Sequence, residues 1–196
     1  MADKVRLAVL ISGRGSNLQA LIDACAADDF PAQIDLVLSN EPDAYGLRRA
    51  EQAGIRTTVV CHRDYADRSS FEDAVHDALL SGNPDLICLA GFMRILSPPF
   101  VNRWRHRILN IHPSLLPAFK GMNTHARALE AGVKTHGCTV HFVTAELDAG
   151  PTLLQAEVPV FTDDTPDSLA DRVLEAEHRI YPDAVRTLAT DLLRSR

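Results

Sequence analysis

Short apolar runs alternate with stretches in which apolar residues recur every three or four positions, and this alternation predicts the fold. Arg6-Leu7-Ala8-Val9-Leu10-Ile11 is an apolar run closed by Ser12-Gly13, after which Leu18, Leu21, Ile22 and Cys25 follow at helical spacing. That is a strand, a glycine turn and a helix. A second strand is expected from Ile34 to Ser39, a helix from Ala44 to Ala53 ended by Gly54, a third strand from Arg56 to Cys61, and a polar helix from Ser69 to Leu80. Asp85 to Ala90 is continuously apolar after its aspartate, as expected of a central parallel strand covered on both faces. Strands alternating with helices imply right-handed βαβ crossovers and a doubly wound sheet.

From Arg107 the pattern changes. Ile108 to Ile111 predicts a strand and Thr124 to Ala131 a short helix, and two strands, His136 to Thr144 and Pro151 to Pro159, then come close together. Their short connection, Ala145 to Gly150, suits an antiparallel pair or a functional loop. Pro166 to Leu193 predicts one long helix, with a break before Pro182. No repeat or linker interrupts the chain, so residues 1–196 are expected to form a single α/β domain. Its first half is Rossmann-like, its parallel strands continue into a mixed sheet, and helices cover both faces.

Composition narrows the partners. The chain has 196 residues, 46% hydrophobic and 23% charged, too apolar for intrinsic disorder and without an uninterrupted apolar run long enough for a membrane span. With 26 acidic against 20 basic side chains the formal charge is −6, which attracts neither nucleic acid nor an anionic membrane; a small metabolite is the expected partner, with the chain a monomer or homodimer. The N-terminus lacks a signal core, and four cysteines without a CxxC pair fit a reducing cytoplasmic compartment.

Ser12-Gly13-Arg14-Gly15-Ser16-Asn17 lies between the first strand and the first helix, where backbone N–H groups freed by glycines form an anion site suited to phosphate. Leu18 stands where the dinucleotide fingerprint needs a small residue, and the Gly-Lys-Ser/Thr of a P-loop is absent, which disfavours NAD and ATP. The alternative is a tight turn capped by Ser16 or Asn17. In Asn110-Ile111-His112 the two polar residues project from one face at the end of a strand, where an open α/β sheet binds ligands. Together they offer oxyanion stabilisation and proton transfer, against the alternative that both merely satisfy loop carbonyls. Asp148, in the loop between the late strands, either keeps His112 charged and helps move a proton or is a turn residue.

A zinc site is disfavoured because His136 and Cys138 share a strand face from which His141 points away, so no metal is expected. No Gly-x-Ser-x-Gly elbow supports a serine hydrolase. His62, His76 and His106 are expected at the solvated surface and Cys25 and Cys88 in the core, while Arg103, Arg105, His106 and Arg107 look like an exposed helix end.

Four stretches carry a resemblance: Ile11 to Gln19, Leu89 to Leu96, Asn110 to Pro117 and His141 to Asp148. They are similar to the phosphoribosylglycinamide formyltransferase family of folate-dependent formyltransferases, over about residues 5 to 185. The resemblance implies transfer of the formyl group of 10-formyltetrahydrofolate, the cosubstrate, to the primary amine of glycinamide ribonucleotide in purine synthesis. It implies Asn110, His112 and Asp148 as catalytic residues, with Gly15, Ser16 and Asn17 on the 5′-phosphate side of the nucleotide and Glu177 at its ribose. Arg68 would face the folate glutamate, Met93, Arg94, Ile95 and Leu96 would meet the pterin with Asn110 beside it, and Thr139 and His141 would support the site. Residues 1–105 would then form the phosphate-binding half and 106–196 the catalytic and folate-binding half.

This chain departs from the pattern in places. Arg14 fills a variable position that could add a phosphate contact, and Ala149 replaces a glycine common after the aspartate, removing freedom for positive φ. Lys120, in the loop Pro117 to Asn123, is either a lid residue or solvated. The rivals are a formyltetrahydrofolate deformylase, which usually carries an additional N-terminal domain; a methionyl-tRNA formyltransferase, which needs a C-terminal domain and a basic surface; and a non-catalytic phosphate-ligand sensor.

Overall fold

In the computed structural model, which describes residues 3–196, the first expected unit is β1 (Val5–Ile11) followed by α1 (Ser16–Cys25). The chain continues through β2 (Ala32–Ser39), α2 (Tyr45–Gln52), β3 (Thr57–Val59), a 3-10 turn at His62–Asp64, α3 (Arg68–Gly82) and β4 (Leu86–Leu89). Then come α4 (Pro98–Arg103), β5 (Ile108–His112), α5 (Thr124–Glu130), β6 (Thr135–Phe142), β7 (Thr152–Pro159) and α6 (Pro166–Arg194). α4 is absent from the expected elements; Ser97 caps it and Pro98 opens it, where a proline's missing N–H costs nothing.

One seven-stranded sheet runs β3-β2-β1-β4-β5-β6-β7. The first five strands are parallel, and β6 and β7 add antiparallel at the far side. The strand order reverses between β1 and β4, so the loops leaving their carboxyl ends diverge and open a crevice between them.

The period of two along each strand sorts the core into two layers. Leu7, Val9 and Ile11 of β1 join Leu109 and Ile111 of β5 under α1 and α6, whereas Ala8 and Leu10 join Ile87 and Ile108 under α3 and α4. Asn110 and His112 have the parity of Ile108, so they leave the sheet on the face opposite α6.

The helix break expected before Pro182 does not occur: α6 runs unbroken through it. Proline supplies no N–H to the preceding turn, but the neighbouring Tyr181 is fully buried and its hydroxyl donates to the Leu89 carbonyl at 2.9 Å. Leu169, Val173, Tyr181 and Val185 lie buried along the same helix, each worth about 1.5–3 kcal/mol, enough to outweigh one lost hydrogen bond.

Three surface expectations also change. His62 is half-buried beside Asn40, and half-buried His76 packs edge-on to Trp104 at 5.4 Å. Arg107 is no exposed helix end, because α4 stops at Arg103 and the Arg107 guanidinium donates to the Pro84 and Asp85 carbonyls while lying over Trp104. Cys88 is core, as expected, but Cys25 is half-buried against it; burial pushes both thiols up to about 12, so neither is a ready nucleophile.

Candidate active site

The loop between β1 and α1 is a backbone construction. Gly15, at φ 69°, precedes α1 with no side-chain cap, so neither Ser16 nor Asn17 caps the helix as the tight-turn alternative requires. The first backbone bond into the helix runs from the Gln19 N–H to the Gly15 carbonyl at 2.9 Å, leaving the amides of Ser16 to Leu18 without an intrahelical acceptor.

The carbonyls before them turn toward α2: Gly46 N–H donates to Gly13 O at 3.0 Å and Arg49 Nε to Arg14 O at 2.9 Å. Across a trans peptide the N–H points opposite to the C=O, so the Arg14 and Gly15 amides face away from α2. Successive donors at a helix N-terminus favour an anion. Gly15 is obligatory here, because a Cβ would sit 2.6 Å from Gly46 Cα and the positive φ strains any side chain.

Asn17 and Glu177 meet beside this loop, where Asn17 Nδ2 donates to Glu177 Oε2 at 2.7 Å. Burial pushes the Glu177 carboxyl up to about 7, opposed by the Asn17 bond, and Asn17 Oδ1 is buried without a protein partner. A ligand hydroxyl arriving here meets a carboxyl and an amide oxygen, both able to accept from it.

Across the crevice, the segment after β4 turns at Gly91 (φ 76°) and presents Met93 and Ile95 at 72% and 63% exposure. Arg94 lies 6.0 Å over the Phe71 ring, and the Leu96 side chain is buried in the core, so only the backbone of Leu96 is left for a ligand. Exposed Arg68 opens α3 and lines a cavity of about 240 Å³ with Ser69, Glu72, Asp73, Ser97 and Arg103. None of Asn110, His112 and Asp148 lines that cavity.

Those three residues do come together. β5 and β6 pair so that Asn110 lies opposite His141 and His112 opposite Thr139. His141 Nδ1 donates to the Phe142 carbonyl at 3.0 Å, which makes Nε2 an acceptor for Asn110 Nδ2 at 3.2 Å. Burial holds His141 below the ordinary histidine range, consistent with this neutral form, so its 3.8 Å approach to Asp148 is not an ion pair. The second hydrogen on Asn110 Nδ2 remains for a ligand.

Buried His112 faces acceptors on both sides, Phe119 O at 3.1 Å from Nε2 and Asp148 Oδ2 at 3.5 Å from Nδ1, an arrangement suited to the imidazolium. Gly121 N–H donates to Asp148 Oδ2 at 2.9 Å. Positive φ falls on Asp148 itself (48°) and not on Ala149, so the alanine costs the loop nothing. Gly150 is the residue the loop needs, since a Cβ there would reach 1.8 Å from Phe142 O.

Thr139 acts one step away: its hydroxyl donates to Ser114 O at 2.6 Å and accepts from Leu116 N–H at 3.0 Å, fixing the chain that leaves His112. The Phe119 carbonyl and the Gly121 amide escape sequence reasoning, because backbone groups carry no residue signature; the only hint is the density of turn residues from Pro117 to Asn123. Lys120 lies 3.3 Å from exposed Glu146, and Arg14 is exposed.

Among the described residues no three His, Cys, Asp or Glu side chains gather as metal ligands. His136 packs edge-on under Phe119 at 5.7 Å, with burial pushing it down to about 4, and the Cys138 thiol is pushed up to about 12. No helix among the described residues is long and apolar enough to cross a membrane.

Comparison with known proteins returns one family model, formyl transferase, matched over residues 5–185. The trifunctional purine biosynthetic protein adenosine-3 of Gallus gallus is 54% identical over 96% of this chain, which spans only 19% of that protein's length. The phosphoribosylglycinamide formyltransferase of Haemophilus influenzae is 49% identical over 96% of this chain and 89% of its own. A crystal structure of phosphoribosylglycinamide formyltransferase from Brucella melitensis superposes with a TM-score of 0.92 at 53% identity, covering 95% of this chain and 96% of that one.

Proposed function

This chain belongs to the formyl transferase family, and from that premise we propose that it moves the formyl group of 10-formyltetrahydrofolate to the primary amine of glycinamide ribonucleotide, a step of purine synthesis. The observation that carries this reading is the pairing of β5 with β6, which puts Asn110, His112 and His141 on one face with Asp148 closing over them. Relatives bearing the phosphoribosylglycinamide formyltransferase name over nearly their full length support it. The four thiols, all free, suit a reducing cytoplasmic setting.

The nucleotide phosphate sits on the amides of Gly15, Ser16 and Asn17, and Glu177 accepts from a ribose hydroxyl. The donor lies across the crevice against Met93 to Leu96, with Arg68 meeting its glutamate carboxylate. Attack of the amine on the formyl carbon builds negative charge on the formyl oxygen. The free hydrogen of Asn110 Nδ2 and the His112 imidazolium stabilise that charge, the substrate oxygen competing with the Phe119 carbonyl for the hydrogen on Nε2.

Asp148 balances the imidazolium and, through water, helps move the proton from the attacking amine to the departing folate nitrogen. His141 orients the Asn110 amide, and Thr139 holds the chain beyond His112.

The test supplies 10-formyltetrahydrofolate with and without glycinamide ribonucleotide. Turnover strictly dependent on the amine is expected. Turnover with water alone would make the chain a deformylase, and no turnover would make it a sensor.

A further inference from the structure

Ser12 ends the β1 run, and its side chain turns away from the amides that follow it. Its N–H donates to the Gly91 carbonyl at 3.0 Å and its hydroxyl accepts from the Met93 N–H at 2.7 Å. One residue therefore grips both ends of the turn that opens the Met93–Leu96 segment. Among the described residues no other backbone group from Phe92 to Leu96 is hydrogen-bonded within the protein. With Met93 and Ile95 exposed, the side chains of Phe92 and Leu96, buried at the two ends, and Arg94 over the Phe71 ring are what otherwise hold this stretch, and none of them fixes the Met93 backbone.

The hydroxyl is itself oriented. It gives its proton to Asn40 Oδ1, which directs a lone pair at Met93. Asn40 is buried at 2% exposure beyond the end of β2, and His62 Nδ1 lies 3.2 Å from both its Nδ2 and its backbone carbonyl, so His62 engages Asn40 in either tautomer. A chain of bonds thus runs from the third strand's exit through the second and first to the segment that follows the fourth.

We propose that Ser12, oriented by Asn40, is a positioning residue for the formyl donor: it fixes the Met93 backbone and with it the edge on which the folate is read. The proposal rests on the assignment of Met93 to Leu96 to the donor. It gives Ser12 no part in binding the nucleotide phosphate and none in the chemical step.

The test is a double-mutant cycle of Ser12→Ala and Asn40→Ala, with Ser12→Thr as the variant that keeps the hydroxyl. Losing one hydrogen bond of this kind raises the donor KM roughly 3- to 10-fold. The KM for glycinamide ribonucleotide and kcat stay within about twofold of the parent. Asn40→Ala alone has a smaller effect, the double variant is no worse than Ser12→Ala because Asn40 acts through Ser12, and Ser12→Thr restores the parent KM.

Hydrogen exchange of the Met93 amide, measured on the free protein, accelerates in Ser12→Ala and not in Ser12→Thr. Unchanged exchange, additive effects, or a fall in kcat in step with the donor KM would overturn the proposal. A parent protein that turns over normally while Ser12→Ala keeps its donor KM overturns the role of Ser12 alone. A parent protein without turnover overturns the assignment of the donor site, and the donor role of Ser12 with it, whatever the exchange shows.

Discussion

The proposed anion loop after β1 and the cleft at the end of β5 open on the same carboxyl edge of one sheet, yet they are made of different material. The loop presents backbone amides held by Gly46 and Arg49, and its one irreplaceable residue, Gly15, matters for the side chain it lacks. The cleft presents the side chains of Asn110, His112 and Asp148, each aimed by partners from elsewhere in the chain. A backbone site is sensitive to dihedral angle and indifferent to many side chains, so Arg14 can occupy it without disturbing its shape. A side-chain site is sensitive to every group that orients it. Substitutions in the two should therefore fail in different ways, the cleft in kcat and the loop in substrate affinity.

The largest expected effect is in the cleft. Asn110→Ala removes an oxyanion donor, an effect worth about 2.7–4 kcal/mol, so kcat should fall by about a hundredfold or more while the KM for glycinamide ribonucleotide changes little. Steady-state kinetics with each substrate varied in turn reads both. A parent-like kcat would remove Asn110 from the mechanism and leave the comparison without its second term.

Glu177 sharpens the contrast, since it is the buried ionisable group of the anion side. Its folded carboxyl is pushed up to about 7 from an ordinary 4.5, so between those pH values the folded chain holds a proton that the unfolded chain releases. Stability from this group is fully present below about pH 4.5 and falls as pH rises to 7, by about 3 kcal/mol at the upper end. Urea unfolding of the parent and of Glu177→Gln at pH 5 and pH 7.5 checks it: the parent should lose more stability than the variant across that interval. Parallel losses would mean that Glu177 ionises freely when folded.

Gly15→Ala comes next. An alanine at φ 69° costs about 1–2 kcal/mol, and its Cβ presses on Gly46 Cα from 2.6 Å, so the turn must move. The KM for glycinamide ribonucleotide should rise about tenfold, with kcat at saturation nearly unchanged. A loss in kcat without a change in KM would place the loop's contribution in the chemical step and dissolve the distinction between the two regions.

The same distinction governs how much was legible in the sequence. Apolar runs gave away β1 and β4, and helical spacing gave away α1 and α6, because strands buried on both faces and helices with one buried stripe leave periodic traces, whereas six-residue α4 is too short to leave one. Asn110 and His112 were readable as a same-face pair from strand parity alone. The meeting of Asn17 with Glu177, separated by 160 positions, left no local trace, and neither did the Phe119 carbonyl that engages His112. Pro182 misled for a physical reason: local preference argues for a break, and the buried Tyr181 overrules it.

The smallest expected effect tests what closes the cleft. The loop from Pro117 to Asn123 meets the proposed catalytic residues through two backbone bonds, Phe119 O to His112 and Gly121 N–H to Asp148, and meets the loop bearing Asp148 at the surface through Lys120 and Glu146. The Lys120–Glu146 pair is 3.3 Å apart, but the glutamate side chain is 78% exposed, and exposed pairs of this kind contribute little once solvent screens them. If closure is a backbone matter, Lys120→Ala should leave kcat and both KM values within about twofold of the parent at low and high salt alike. A larger, salt-dependent loss would show that Lys120 closes the site electrostatically, and the cleft would then depend on its surface as well as on its buried partners.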